Sequence, residues 1–151
     1  MRKAIEDCRA GFPGNEGGPF GACIVKDNQI IATAHNTVMK DHDPTAHAEI
    51  NAIRKASQVL GTYDLSGCEI YSTTEPCPMC FTAIHWARIA RIYSGTKIEA
   101  VRALGFNELP VSNAAFKALA ELSVDLVENV LEEECQQLLE DWAAHTNAAT
   151  Y

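Results

Sequence analysis

Cys68-Glu69-Ile70-Tyr71-Ser72-Thr73-Thr74-Glu75-Pro76-Cys77-Pro78-Met79-Cys80 reads as a strand that runs straight into a helix. Residues 68–73 hold the β-favouring Ile, Tyr and Thr. Pro76 and Pro78 fall where a helix tolerates a missing N–H, so a helix is predicted from Pro76 through Arg88. Strands alternating with helices build layered α/β sheets.

Outward from that junction the alternation continues. Residues 2–10 read as a short amphipathic helix, and residues 11–18 as a glycine-dense loop broken by Pro13. Ala22–Val25 and Gln29–Ala34 flank Lys26-Asp27-Asn28, whose Asp and Asn accept left-handed backbone, so an antiparallel hairpin is predicted. A helix is predicted from Asp43-Pro44-Thr45 to about Leu60, with Ala46, Ile50, Ile53 and Val59 at roughly helical spacing and Gly61 as its stop. Then come a strand at Ile89–Ser94, a turn or short helix near Lys97–Leu104, and a helical stretch around Ala114–Leu122. A strand at Val124–Val130 and a helix from about Leu131 to Ala144 close the chain. The sequence shows no repeat or linker, so one α/β domain is expected over residues 1–151.

Composition narrows the class. The 151 residues are 47% hydrophobic, enough for a sizeable core. No stretch approaches the ~18 apolar residues of a membrane span, and Glu6-Asp7 interrupts the start before a signal-peptide core forms. No membrane partner is expected, and a cytoplasmic location is. Six cysteines in such a chain are expected to be reduced. A formal charge of −8 repels polyphosphate, so nucleic acid is not expected as a partner.

Chemistry concentrates at two places. Cys77 and Cys80 are spaced i, i+3 at a helix start, and His47-Ala48-Glu49 supplies an imidazole and a nearby carboxylate. One imidazole and two thiolates make three ligands for Zn2+, which takes four, so one position stays open for water or substrate. Both segments are predicted in first helical turns, His47 after Thr45 and the cysteines after Pro76, where partial positive charge favours thiolate. Glu49 is two residues from His47, about 200° around a regular helix, so it is read as a proton-transfer carboxylate and not a fourth ligand. The rival readings of Cys77 and Cys80 are a redox dithiol or half of a structural zinc site.

His47-Ala48-Glu49 with Pro76-Cys77-Pro78-Met79-Cys80 resembles the cytidine deaminase superfamily, whose zinc signature is His-x-Glu plus Pro-Cys-x-x-Cys. Gly17-Gly18-Pro19-Phe20-Gly21, Asp43-Pro44-Thr45, Glu75 and Trp86-Ala87-Arg88 narrow the resemblance to bacterial guanine deaminases and plant guanosine deaminases, over roughly residues 4 to 110. The resemblance implies a three-layer α/β/α sandwich on a mixed five-stranded sheet. It also implies hydrolytic deamination of a nucleobase, guanine to xanthine and ammonia, by a zinc-activated water with Glu49 as proton shuttle. By the same resemblance Asn36 bonds the base, Phe20 and the face of His47 sandwich it, Trp86 lines the pocket, and Glu108 is a second catalytic acid on the base. Tyr151 at the end of Asn147-Ala148-Ala149-Thr150-Tyr151 is expected to close a neighbour's pocket in a homodimer.

Other substrates stay open: guanosine, cytosine or another amino-substituted heterocycle. A tRNA adenosine deaminase shares the metal motifs, but residues 131–151 contain no Lys or Arg to grip a polyanion. A catalytically silent zinc module is the remaining reading, and the intact Glu49 argues against it. Read without the resemblance, Asn36 is a turn former and Phe20 and Trp86 are core residues.

Overall fold

The hairpin forms on a two-residue turn: Asp27 and Asn28 both take positive φ, 48° and 60°, so Lys26 pairs with Gln29 and the strands keep their twist. These strands are β1 (Gly21–Lys26) and β2 (Gln29–His35). In the computed structural model, which describes residues 1–145 and 150–151, they join β3 (Cys68–Thr74), β4 (Arg91–Thr96) and β5 (Asp125–Val127). The sheet runs in the order β2-β1-β3-β4-β5. β1 is antiparallel to β2 and β3, whereas β3, β4 and β5 are mutually parallel, so the sheet is mixed and five-stranded as expected.

Parallel neighbours need crossovers, and helices supply them. The helices are α1 (Arg2–Gly11), α2 (Val38–Asp41), α3 (Ala48–Leu60), α4 (Pro78–Trp86), α5 (Ile98–Ala103), α6 (Asn113–Leu119) and α7 (Glu132–Ala143). α4 links β3 to β4, and α5 with α6 link β4 to β5. α3 packs on β1, β2 and α4, while α1 packs on β1, β2 and α7. A helical layer therefore covers each face of the sheet.

Ile24, Ile70 and Ile92 sit side by side across β1, β3 and β4 and are almost fully buried. Each such burial stabilises the fold by about 1.5–3 kcal/mol. They belong to the main core with Ala52, Ala56, Phe81 and Ile84. On the other face Ile5, Cys8, Cys135 and Leu138 form a smaller cluster between α1 and α7. There α7 comes down onto bare backbone: a Cβ at Gly95 would run into the Cys135 sulfur and lie 2.5 Å from the Thr73 carbonyl.

Several boundaries differ from expectation. The helix predicted from Asp43 starts at Ala48, because Asp43 Oδ1 accepts bonds from the Thr45 N–H and hydroxyl and holds residues 43–46 in a turn. The strand predicted at Ile89–Ser94 begins at Arg91, after Arg88 turns the chain with φ 62°. β5 is only three residues long, and the short helix α2 carries no strong sequence signal. Among the described residues no helix is long and apolar enough to cross a membrane.

Candidate metal centre and active-site cleft

His47 is the N-cap of α3, with extended backbone at φ −68° and ψ 157°, and does not lie in the first helical turn. Asn51, one turn on, holds it there by donating to the Ala46, His35 and Thr37 oxygens. Cys77 caps α4 in the same way, at φ −64° and ψ 165°, with Pro78 at N1 and Cys80 in the first turn. His47 Nδ1 lies 3.7 Å from the Cys77 sulfur and 3.6 Å from the Cys80 sulfur. All three ligand atoms fall within 4.8 Å of one another. Zinc bond lengths and a tetrahedral angle would set nitrogen and sulfur about 3.6 Å apart, so the donors fit that ion.

The bond from Cys80, and then that from His47, holds the Cys77 thiol down at about 4, whereas the same bond and burial push the Cys80 thiol up. Burial alone would lower His47, but its bond to Cys77 and the charge of Glu49 raise it above the ordinary range. A bound metal favours thiolate at both positions.

Glu49, in the first turn of α3, is 5% exposed and faces the same cleft as His47. The helical-wheel separation of these residues does not apply, because His47 lies outside the helix. Ser72 on β3 donates to Glu49 Oε1 at 3.0 Å. Burial, and then the charge of Cys77, push the Glu49 carboxyl above the ordinary range. A carboxyl so placed suits proton transfer.

Phe20, Thr74, Glu75, Ile98, Val101 and Glu108 complete the lining with His47, Glu49 and Cys77. Phe20 stands edge-on to Phe106, with ring centres 5.1 Å apart. Glu108 is half-buried, and burial followed by the Cys77 charge raises its pKa. Asn36 is 1% exposed; its Oδ1 accepts from the Val38 N–H, while its Nδ2 is buried without a partner among the described residues. Gly17 lies against that side chain so closely that a Cβ would strike Asn36 Oδ1. A larger apolar hollow, about 260 Å³, lies between α4 and residues 122–124 and contains no carboxylate or thiol.

One expected site residue lies elsewhere, and another sits on its own chain. Trp86 ends α4 with 74% of its surface exposed and does not line the cleft of its own chain; one face of α4 meets the core, and residue 86 falls off that face. Tyr151, expected over a neighbour's pocket, lies over its own chain, with its ring 5.4 Å from Phe106 and its carbonyl bonded to the Asn107 N–H. Its hydroxyl faces Gly18 and Asn36 beside the charges of Glu108 and Glu49. Residues 147–149 of that tail lie outside the described residues.

Sequence reasoning missed Ser72, Asn51 and the pair Glu75–Asn113. Glu75 Oε1 accepts from the Asn113 N–H at 2.6 Å, and Asn113 Nδ2 donates to the Pro76 carbonyl at 2.6 Å. A buried carboxylate before a metal-ligating turn was the one signal present.

The family model for the cytidine and deoxycytidylate deaminase zinc-binding region matches residues 1–96. The guanine deaminase of Bacillus subtilis is 37% identical over 151 residues, covering 100% of this chain and 96% of its own. Likeness thus extends past residue 110. A tRNA-specific adenosine deaminase of the same organism is 34% identical over 149 residues, covering 92% of this chain and 83% of its own. Among solved structures, a guanine deaminase from Nitrosomonas europaea superposes with a TM-score of 0.85 at 30% identity, covering 95% of this chain and 82% of that one. With residues 1–96 matching that zinc-binding region and the ligand atoms of His47, Cys77 and Cys80 drawn together within it, this chain belongs to the cytidine and deoxycytidylate deaminase family.

Proposed function

We propose that this deaminase is zinc-dependent and converts guanine and water to xanthine and ammonia. The observation that carries the reading is that Glu49 and Glu108, two of the three carboxylates lining the cleft, share it with His47 and Cys77, while the third, Glu75, is tied to backbone N–H groups. His47, Cys77 and Cys80 would hold the ion, which supplies Lewis acidity and lowers the pKa of a bound water to about 7. Glu49 takes a proton from the attacking water and delivers it to a ring nitrogen, while a new C–O bond forms at the carbon bearing the exocyclic amine. A second proton carried by Glu49 leaves with the amine as the C–N bond breaks. Glu108 meets the amino group or ring nitrogen of the base. Asn36 Nδ2, without a partner among the described residues, donates to an acceptor on the base, and Phe20 and the His47 face sandwich the ring. Tyr151 closes the cleft over them.

The relatives include tRNA-specific adenosine deaminases, so a nucleobase within RNA is the second reading. The charge of −8 opposes it. Ammonia release from zinc-loaded protein given guanine, guanosine, cytosine, adenine or a tRNA anticodon stem separates the two. Turnover of guanine alone is expected; turnover of the RNA overturns the substrate assignment. Near-normal kcat/KM on guanine for Glu108→Gln would remove Glu108 from the site.

A further inference from the structure

We propose that Glu75 is a positioning residue for the reaction, its single carboxylate setting where Glu108 stands. This rests on the role given to Glu108 above. Glu75 is 6% exposed and ends the β3 exit, two residues before Cys77. Its Oε1 accepts the Asn113 N–H at 2.6 Å and its Oε2 accepts the Ile98 N–H at 3.3 Å. Those are the opening residues of α6 and α5, so one side chain grips the helix before and the helix after the segment 104–112. Glu108 lies on that segment, which has no strand or helix of its own to place it.

The grip is reinforced from both sides. Asn113 Nδ2 bonds the Pro76 carbonyl, and the Glu75 N–H bonds the Thr96 carbonyl at 2.8 Å, so the metal-bearing turn, α6 and the end of β4 meet at Glu75. Within the segment Phe106 is buried against Phe20 and Trp142. Among the described residues Glu108, two residues on, makes no backbone hydrogen bond; its place follows from the two gripped ends and from the bond of Asn107 N–H to the Tyr151 carbonyl. Both Glu75 oxygens are taken by backbone N–H groups, which suits a tie and leaves proton transfer to Glu49 and Glu108.

Glu75→Gln keeps shape and volume but turns one acceptor oxygen into an amide NH2, a donor facing a backbone N–H. The test compares zinc-loaded wild type, E75Q, E108Q and E75Q/E108Q for guanine turnover and zinc content, with amide hydrogen exchange over residues 98–113 measured without substrate. Displacing a catalytic group by about 1 Å costs on the order of 100-fold, so E75Q is expected to lose roughly 10- to 100-fold in kcat/KM. It should keep its zinc and speed exchange at Ile98, Asn113 and residues 106–111, and E108Q should fall no further when E75Q is added. Losses that multiply in the double variant, lost zinc or unchanged exchange each overturn the proposal. E108Q turning over guanine like wild type instead overturns the role of Glu108, and the positioning proposal with it.

Discussion

Replacing Ser72 with Ala removes one oxygen and changes little else, since Ser72 sits in mid-strand between its pairing partners Ala22 and Ser94. The hydroxyl donates to Glu49 Oε1 at 3.0 Å in a site closed to bulk water. A hydrogen bond to a charged group contributes about 1.5–3 kcal/mol, and the orphaned carboxylate oxygen has no solvent to turn to. Glu49 also loses the contact that fixes its angle toward the cleft. At about 1.4 kcal/mol per factor of ten, kcat should fall on the order of 10- to 100-fold. The zinc ligands are untouched, so metal content should equal that of wild type. Ammonia release from guanine, zinc analysis and thermal unfolding on the two proteins give the answer. A variant whose kcat stays within twofold of wild type, whatever its Tm, would show that Glu49 is oriented without Ser72.

Glu49→Ala should keep its zinc and lose deamination, whereas Cys80→Ala should lose both; metal analysis and kcat on each decide it, and substantial activity in Glu49→Ala would remove the proton shuttle. Gly17→Ala drives a methyl into the Asn36 side chain and carbonyl, so KM for guanine should rise on the order of tenfold with zinc content unchanged. Acid stability depends on the carboxylates around His35. Burial would raise Asp7, but bonds from Thr33 and His35 hold it below 3.8, and Lys40, then His35, hold Glu16 below 4.5. A depressed folded-state pKa adds stability above the unfolded value and loses it as pH falls, so wild type should weaken below about pH 4.5. His35→Ala, measured by denaturant unfolding from pH 6 to pH 3, should show a shallower decline.

What was legible in the sequence was chemistry held by short spacings. The cysteines three apart at a proline-marked helix start, and His47 two residues from Glu49, bring their own local geometry, and the Asp27-Asn28 turn dictates its hairpin. The strand-into-helix reading of residues 68–88 placed the metal-bearing cysteines at a strand-to-helix turn, and they lie at the turn from β3 into α4. What escaped depends on partners distant in sequence. Ser72 is an unremarkable strand residue until register sets it over Glu49, 23 residues away. The backbone of His47 was misread because the Asp43 side chain competes with helix formation over residues 43–46, a bond that composition does not reveal. The pocket role of Trp86 rests on the resemblance alone, and the last position of a nine-residue helix carries no periodicity that would fix which way it faces. Tyr151 meets Phe106, a residue distant in sequence, in a contact that no periodicity encodes.

Gly95 gives the cleft a hidden neighbour. Its missing side chain lets Cys135 rest on the strand from behind, against the carbonyl of Thr73, while the adjoining Thr74 and Thr96 hydroxyls meet 2.9 Å apart on the way into the cleft. The sheet there is a single peptide thick, with a helix leaning on one side and reacting groups on the other. A bulkier or slimmer residue at position 135 would tilt that support and move the threonines with it. Drift on the rear of the molecule thus has a mechanical route to retune turnover while every residue that touches the base stays the same.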